Sequence, residues 1–201
     1  MKDHLKKTSM RIAIFSGSFN PIHNGHIAIA HEVLAQGMAD QLWFLVSPQN
    51  PLKKNLGLMK ESDRLEMVKL AIENQTGMRA SDFEFHLPRP TYTINTLEKL
   101  RENYPESQFK LLIGADNLLI FRKWYQYQRI IDEFGLIVYP RPDFSTESLP
   151  KFVNTTIISA PLLDLSATQI REKLIKGESV TGMVPEKVAL FLLQHDNNLS
   201  N

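Results

Sequence analysis

The sequence predicts an α/β protein: a doubly wound, mostly parallel sheet of Rossmann-like form, with helices on both faces and a small helical C-terminal portion. Three observations predict it. Short apolar runs at Ile12 to Phe15, Trp43 to Val46, Leu111 to Ile113 and Leu136 to Tyr139 lack polar alternation, as strands buried on both faces do. Segments with apolar residues at helical spacing separate these runs. Gly, Ser, Asn and Pro gather where the first run ends, at the carboxyl edge where such sheets bind ligands.

The elements follow in order. After the first strand, Ser16 to Asn24 reads as a loop. A helix is predicted from Gly25 to Gln36, with Ile27, Ala30, Val33 and Leu34 inward and Gly37 at its C-terminal cap. Trp43 to Val46 is the second strand, ended by Ser47 and Pro48. A polar loop to Lys60 precedes a helical stripe at Leu65, Val68 and Ile72. A third strand is expected within Met78 to Phe85, then a helix over Ile94 to Tyr104. The strands at Leu111 and Leu136 follow, and a polar segment from Pro140 to Pro150 leads to a last strand at Thr156 to Ser159. Two helices close the chain, Ala167 to Ile175 and Pro185 to Gln194, with Pro185 at a first helical position.

Composition narrows the function. A chain of 201 residues holds one well-buried core, and its 43% hydrophobic content excludes a mainly disordered protein. The 23 basic and 22 acidic side chains leave a charge of +1, which argues against a duplex nucleic-acid binder. Without cysteine there is no disulfide, thiolate metal site or cysteine nucleophile, and the composition fits a reducing, cytoplasmic compartment. No apolar run approaches the about 18 residues that span a membrane, and the lysine-rich start leads into no signal-like hydrophobic run. One domain over residues 11–196, with tails at 1–10 and 197–201, is the simplest division. Homo-oligomerisation is left open.

Four polar segments fall at the carboxyl edge. In Gly17-Ser18-Phe19-Asn20-Pro21-Ile22-His23-Asn24-Gly25-His26, Gly17 allows a tight turn. His23 and His26 stand three apart across a helix start, so their rings share one side. Two imidazoles beside free helix N–H groups suit phosphate oxygens. Zinc is the competing use, but no third histidine is close, and plain packing is the bland one. In Leu165 to Lys173, Ser166 and Gln169 match a capping box. Capping does not explain Thr168 and Arg171 on one face, where a hydroxyl and a guanidinium suit polyphosphate oxygens. Lys53, Lys54 and Arg141 are loop cations, of which Lys54 and Arg141 are candidate phosphate ligands. In Pro90 to Thr96, Thr91 or Thr93 can cap a helix and Tyr92 can stack a ring. Asp116, after the strand at Leu111, is a helix cap or a ligand for a ribose or a metal-bound water, and Trp124 and Tyr125 are core or surface aromatics or partners of an aromatic ligand.

These residues carry a resemblance. Gly17 to Pro21 with His23-Asn24-Gly25-His26 resembles the GxFxPxHxGH start of the nucleotidylyltransferases, and Leu165 to Arg171 resembles their ISxTxIR segment. Pro90 to Thr93, Ile113 to Asp116 and Trp124-Tyr125 are similar to the bacterial nicotinate-nucleotide adenylyltransferases. The resemblance implies transfer of AMP from ATP to nicotinate mononucleotide, giving deamido-NAD and pyrophosphate, with Mg2+ arriving on ATP and no resident metal site. It implies that Gly17, Ser18, Phe19, His23, His26, Ser166, Thr168 and Arg171 hold ATP, with His26 nearest the transferred phosphate. It further implies that Thr93, Asp116, Trp124 and Tyr125 receive the acceptor. The chain departs from the pattern at Ser16, often glycine, at Asn20, often aspartate, and at Lys173, often arginine. A pantetheine-phosphate adenylyltransferase would share the phosphate machinery, but its flexible acceptor gives the aromatic set less to do. A nonenzymatic nucleotide-binding regulator is the reading from a different class.

Overall fold

The computed structural model describes residues 9–48, 58–142, 144, 149–161 and 165–195. Its strands are β1 (Met10–Gly17), β2 (Gln41–Val46), β3 (Met78–Ser81), β4 (Ser107–Gly114), β5 (Leu136–Tyr139) and β6 (Thr155–Ile157). They form one sheet in the order β3-β2-β1-β4-β5-β6, with every neighbouring pair parallel. The chain winds outward from β1 to β3, then crosses to β4 on the other side of β1. That reversal opens a crevice between the carboxyl ends of β1 and β4, where open α/β sheets take ligands.

The helices are α1 (Asn24–Ala35), α2 (Glu61–Ile72), α3 (Thr93–Asn103), α4 (Ala115–Ile120), α5 (Tyr127–Glu133), α6 (Ala167–Ile175) and α7 (Glu186–Gln194). Side chains alternate across the strands and split the core in two. Ala13, Phe15, Leu42 and Phe44 pack with Ala30 and Val33 of α1, Met67 and Val68 of α2, Ile170 of α6 and Val188 of α7. Ile12, Ile14, Trp43 and Leu45 pack with Ile94 and Leu97 of α3, Leu118 of α4 and Ile130 of α5. Both faces of the sheet are thus covered, which is why β2, β5 and the middle of β1 are runs of apolar residues. The two C-terminal helices close the same face as α1 and α2 rather than standing apart. Among the described residues no helix is long and apolar enough to cross a membrane.

Several expectations shift. The first strand begins at Met10, inside the expected tail. The third ends at Ser81, because the chain turns into a 3-10 helix at Phe83–His86 that buries Glu84. Pro185 caps α7 from outside (φ −56°, ψ 147°) instead of starting it. Neither Thr91 nor Thr93 caps α3: the capping position is Tyr92, whose extended backbone places Thr93 as the first helical residue. Asp116 does not cap α4 either, since Gly114 holds that position. Helix α5 was not anticipated; Gln126, in the left-handed region at φ 50°, turns the chain into it. Lys53, Lys54, residue 196 and most of both tails lie outside the described residues.

Candidate active site at the crevice between β1 and β4

The loop after β1 is supported from beneath. Phe19 takes a positive φ of 44°, and its ring packs edge-on against Phe15, Phe44 and His26 at centroid distances of 5.6, 5.5 and 5.2 Å. Burial of the ring, worth about 1.5–3 kcal/mol, offsets a strained backbone that costs about 1–3 kcal/mol. Phe19 therefore carries His26 from below, and residue 19 can offer a nucleotide only its main chain.

His23 occupies the N-terminal capping position of α1 with extended backbone, φ −143° and ψ 169°. The His23 and His26 rings stack at 3.7 Å between centroids, 27° from parallel. The His23 amide donates to His26 Nδ1 at 3.2 Å, which leaves the proton of a neutral His26 on Nε2. Burial, with the positive charge of Arg141 adding to it, pushes His23 down to about 4. Burial also holds His26 well below the ordinary histidine value, followed by the effects of His23 and Arg141. Both rings are neutral near pH 7. A Cβ on Gly25 would sit 3.0 Å from His23 Nδ1, so the glycine leaves the ring its place.

Arg141 and Leu165 line one cleft with the two histidines. The Arg141 guanidinium donates to the Tyr139 hydroxyl at 3.3 Å, and its Nε lies 3.5 Å from Asp116 Oδ1. A Cβ on Gly114 would overlap that Asp116 oxygen, so the close approach requires glycine. Asn117 donates to the other Asp116 oxygen at 3.3 Å. Asp116 thereby links the histidine cleft to a neighbouring cavity that Asn117 lines.

That cavity has a volume of about 350 Å³ and is lined in part by Gly17, Ser18, Thr91, Thr93, Trp124 and Tyr125. The Tyr92 and Tyr125 rings meet at 4.8 Å, tilted 42°. Thr91 Oγ1 and Trp124 Nε1 are buried without a hydrogen-bond partner among the described residues. The crevice thus brings Thr93, Trp124 and Tyr125 together with Gly17 and Ser18.

The far end of the chain reaches the same loop. Ser166 caps α6 as expected: its hydroxyl accepts from the Gln169 amide at 3.2 Å, and its own amide donates to Gln169 Oε1 at 2.7 Å. Arg171 donates to the Asn20 carbonyl at 2.7 Å and to Thr168 Oγ1 at 3.2 Å. Lys173 instead pairs with Glu178 at 2.7 Å.

Two residues of the site escaped the sequence reading. Arg64 is fully buried and donates to the carbonyls of Ser18 at 2.6 Å, Ser47 at 2.8 Å, Met59 at 3.1 Å and Pro48 at 3.4 Å. Its signal was its place on the apolar stripe of α2, in step with Met67, Val68 and Ala71. Glu84 lines the cavity, flanked in sequence by Phe83 and Phe85. Burial pushes its carboxyl up, opposed by bonds from Ser47, Thr96 and Ser16.

A stacked histidine pair at a helix start, at the reversal point of a 3-2-1-4-5-6 parallel sheet, defines a nucleotide-handling class, and the comparisons agree. The cytidylyltransferase-like family matches residues 14–173. A Bacteroides fragilis protein named "Probable nicotinate-nucleotide adenylyltransferase" is 41% identical, over 95% of each chain. A Cytophaga hutchinsonii protein of the same name is 44% identical, over 92% of this chain and 96% of its own. The solved structure of Plasmodium falciparum nicotinic acid mononucleotide adenylyltransferase, complexed with NaAD, superposes with a TM-score of 0.82 at 21% identity and shares the fold over 96% of this chain and 98% of its own. The chain belongs to the cytidylyltransferase-like family and, within it, to the nicotinate-nucleotide adenylyltransferases.

Proposed function

We propose that the protein transfers the adenylyl group of ATP to nicotinate mononucleotide. A phosphate oxygen of the acceptor attacks the α-phosphorus of ATP and forms the new P–O bond. The bond from that phosphorus to the bridging oxygen breaks, and pyrophosphate leaves with the electron pair. The attacking oxygen is already ionised, so no general base is required; the chain has to align two anions and answer the charge that develops between them.

The observation that carries this reading is the stacked His23–His26 pair beside Arg141, one loop away from an aromatic-lined cavity. His26 Nε2–H is the donor assigned to the α-phosphate, with the positive end of the α1 dipole behind it. His23 and Arg141 take neighbouring phosphate oxygens. Thr168, Arg171 and the start of α6 hold the triphosphate tail, and Ser166 acts through its cap. Thr93, Trp124 and Tyr125 surround the pyridine ring, and Asp116 orients Arg141 between the two sites. Magnesium belongs to ATP as its counter-ion. A cytoplasmic location is part of the same reading, supported by the cysteine-free composition.

The test is an acceptor panel with ATP, magnesium and purified protein. Nicotinate mononucleotide is expected to give a higher kcat/KM than its amide by about 5- to 150-fold, the worth of one charge-assisted bond to the ring carboxylate. Phosphopantetheine should be inert. Trp124→Ala should weaken use of the mononucleotide more than binding of ATP. Preference for phosphopantetheine would overturn the acceptor assignment, and absence of pyrophosphate release with every acceptor would overturn the enzyme.

A further inference from the structure

One buried carboxylate beside the cavity has no part in the chemistry above. Glu84, in the 3-10 turn after β3, is only 3% exposed. Ser16 Oγ donates to its Oε1 at 3.2 Å, Thr96 Oγ1 donates to the same oxygen at 3.1 Å, and the Ser47 hydroxyl bonds to the carboxylate as well. These hydroxyls come from three elements. Ser16 is the penultimate residue of β1, beside Gly17 and Ser18. Ser47 follows β2, and its amide donates to the Gly17 carbonyl at 2.8 Å. Thr96 lies one turn beyond Thr93 on α3.

A carboxyl side chain offers two oxygens with several acceptor directions, so it can gather more donors than a hydroxyl or an apolar side chain could. The two walls that must hold the two substrates therefore meet on one side chain.

We propose that Glu84 is a positioning residue of the transfer reaction: by gathering Ser16, Ser47 and Thr96 it sets the distance between the Gly17–Ser18 loop and the Thr93 end of α3. This rests on the proposed function, with the Gly17–Ser18 loop on the ATP side, as the sequence resemblance implies, and Thr93 at the acceptor ring. A displacement of about 1 Å between reacting groups can cost about 10²-fold in rate, while each substrate still finds its own half of the site. Loss of Glu84 should thus appear in kcat more than in either KM.

The experiment measures kcat, both KM values and melting temperature for Glu84→Ala, Glu84→Gln, Ser16→Ala and Thr96→Ala. Glu84→Ala is expected to lower kcat by about 10-fold or more while each KM moves by less than about threefold. Glu84→Gln should recover most of the rate, since its amide oxygen can still accept from Ser16 and Thr96. The two single hydroxyl losses should lower kcat in the same direction by less. A lowered melting temperature with kcat unchanged in folded Glu84→Ala would overturn the proposal, as would a Glu84→Gln enzyme as slow as Glu84→Ala. Should Glu84→Ala fail to fold, Ser16→Ala and Thr96→Ala decide, and unchanged kcat in both overturns it. The wild-type acceptor panel keeps the two readings separate. If another acceptor is used, the variants are assayed with that one, and the positioning role stands or falls by itself.

Discussion

His26 meets opposing demands: its ring is packed by Phe15 and Phe19 as a core residue would be, yet the proposed transfer needs it to face a phosphate. The stack on His23 and the amide bond to Nδ1 settle its orientation before any ligand arrives. His26→Ala should therefore lower kcat by about 10²-fold or more, the cost of one preorganised donor, with ATP affinity falling less. Steady-state rates and direct ATP titration of the folded variant check this, and near-normal turnover would remove His26 from the chemistry. The same burial makes both rings acid-sensitive. Their folded values lie below the ordinary value near 6.5, and His23 is near 4. The unfolded chain thus binds more protons in that interval, and stability present above about pH 6.5 is lost as the pH falls towards 4. Melting temperatures across that range should drop for the wild type and drop less steeply for His23→Ala.

At the scale of elements, Arg64 ties α2 to the ends of β1 and β2 through the Ser18 and Ser47 carbonyls. Arg64→Met should cost about 2–4 kcal/mol in urea unfolding, since it leaves buried carbonyls unpaired. Arg64→Lys should recover only part, because an ammonium cannot fork across them; equal stability of Arg64→Met and wild type would reduce Arg64 to a spectator. Such ties also mark where the sequence stopped being legible. Helix α6 and strand β5 lie where apolar spacing and flanking residues put them, and the capping pair Ser166–Gln169 formed as written. The histidine pair was legible because a three-residue offset at a helix start leaves little freedom. Arg64 and Glu84 were not, because a charge looks the same in sequence whether water or distant hydroxyls satisfy it. The Phe83 to His86 turn imitated a strand for a related reason: its two aromatics are two apart, and a tight turn can bury such a pair as well as a strand can.

Across the whole molecule, Arg171 ties the C-terminal helices to the loop after β1, bonding to Asn20 from 151 positions away. Arg171→Lys keeps the charge but cannot hold the Asn20 carbonyl and Thr168 together. ATP should then be used less efficiently, with the mononucleotide KM little changed, and equal ATP kinetics in both proteins would return Arg171 to a surface role.

The parallel reversal at β1 and β4 has a further consequence for the order in which the protein is made. Every strand next to β1 is finished by residue 114, and the histidine pair by residue 26. Thr168 and Arg171, the proposed grip on the triphosphate, emerge from the ribosome only after the whole sheet has been translated. A nascent chain still short of α6 lacks both that grip on ATP and the apolar cover that Ile170 and Val188 give the sheet. Competence is thereby tied to the last part of synthesis, and a truncated product has no means of capturing ATP as the finished protein does.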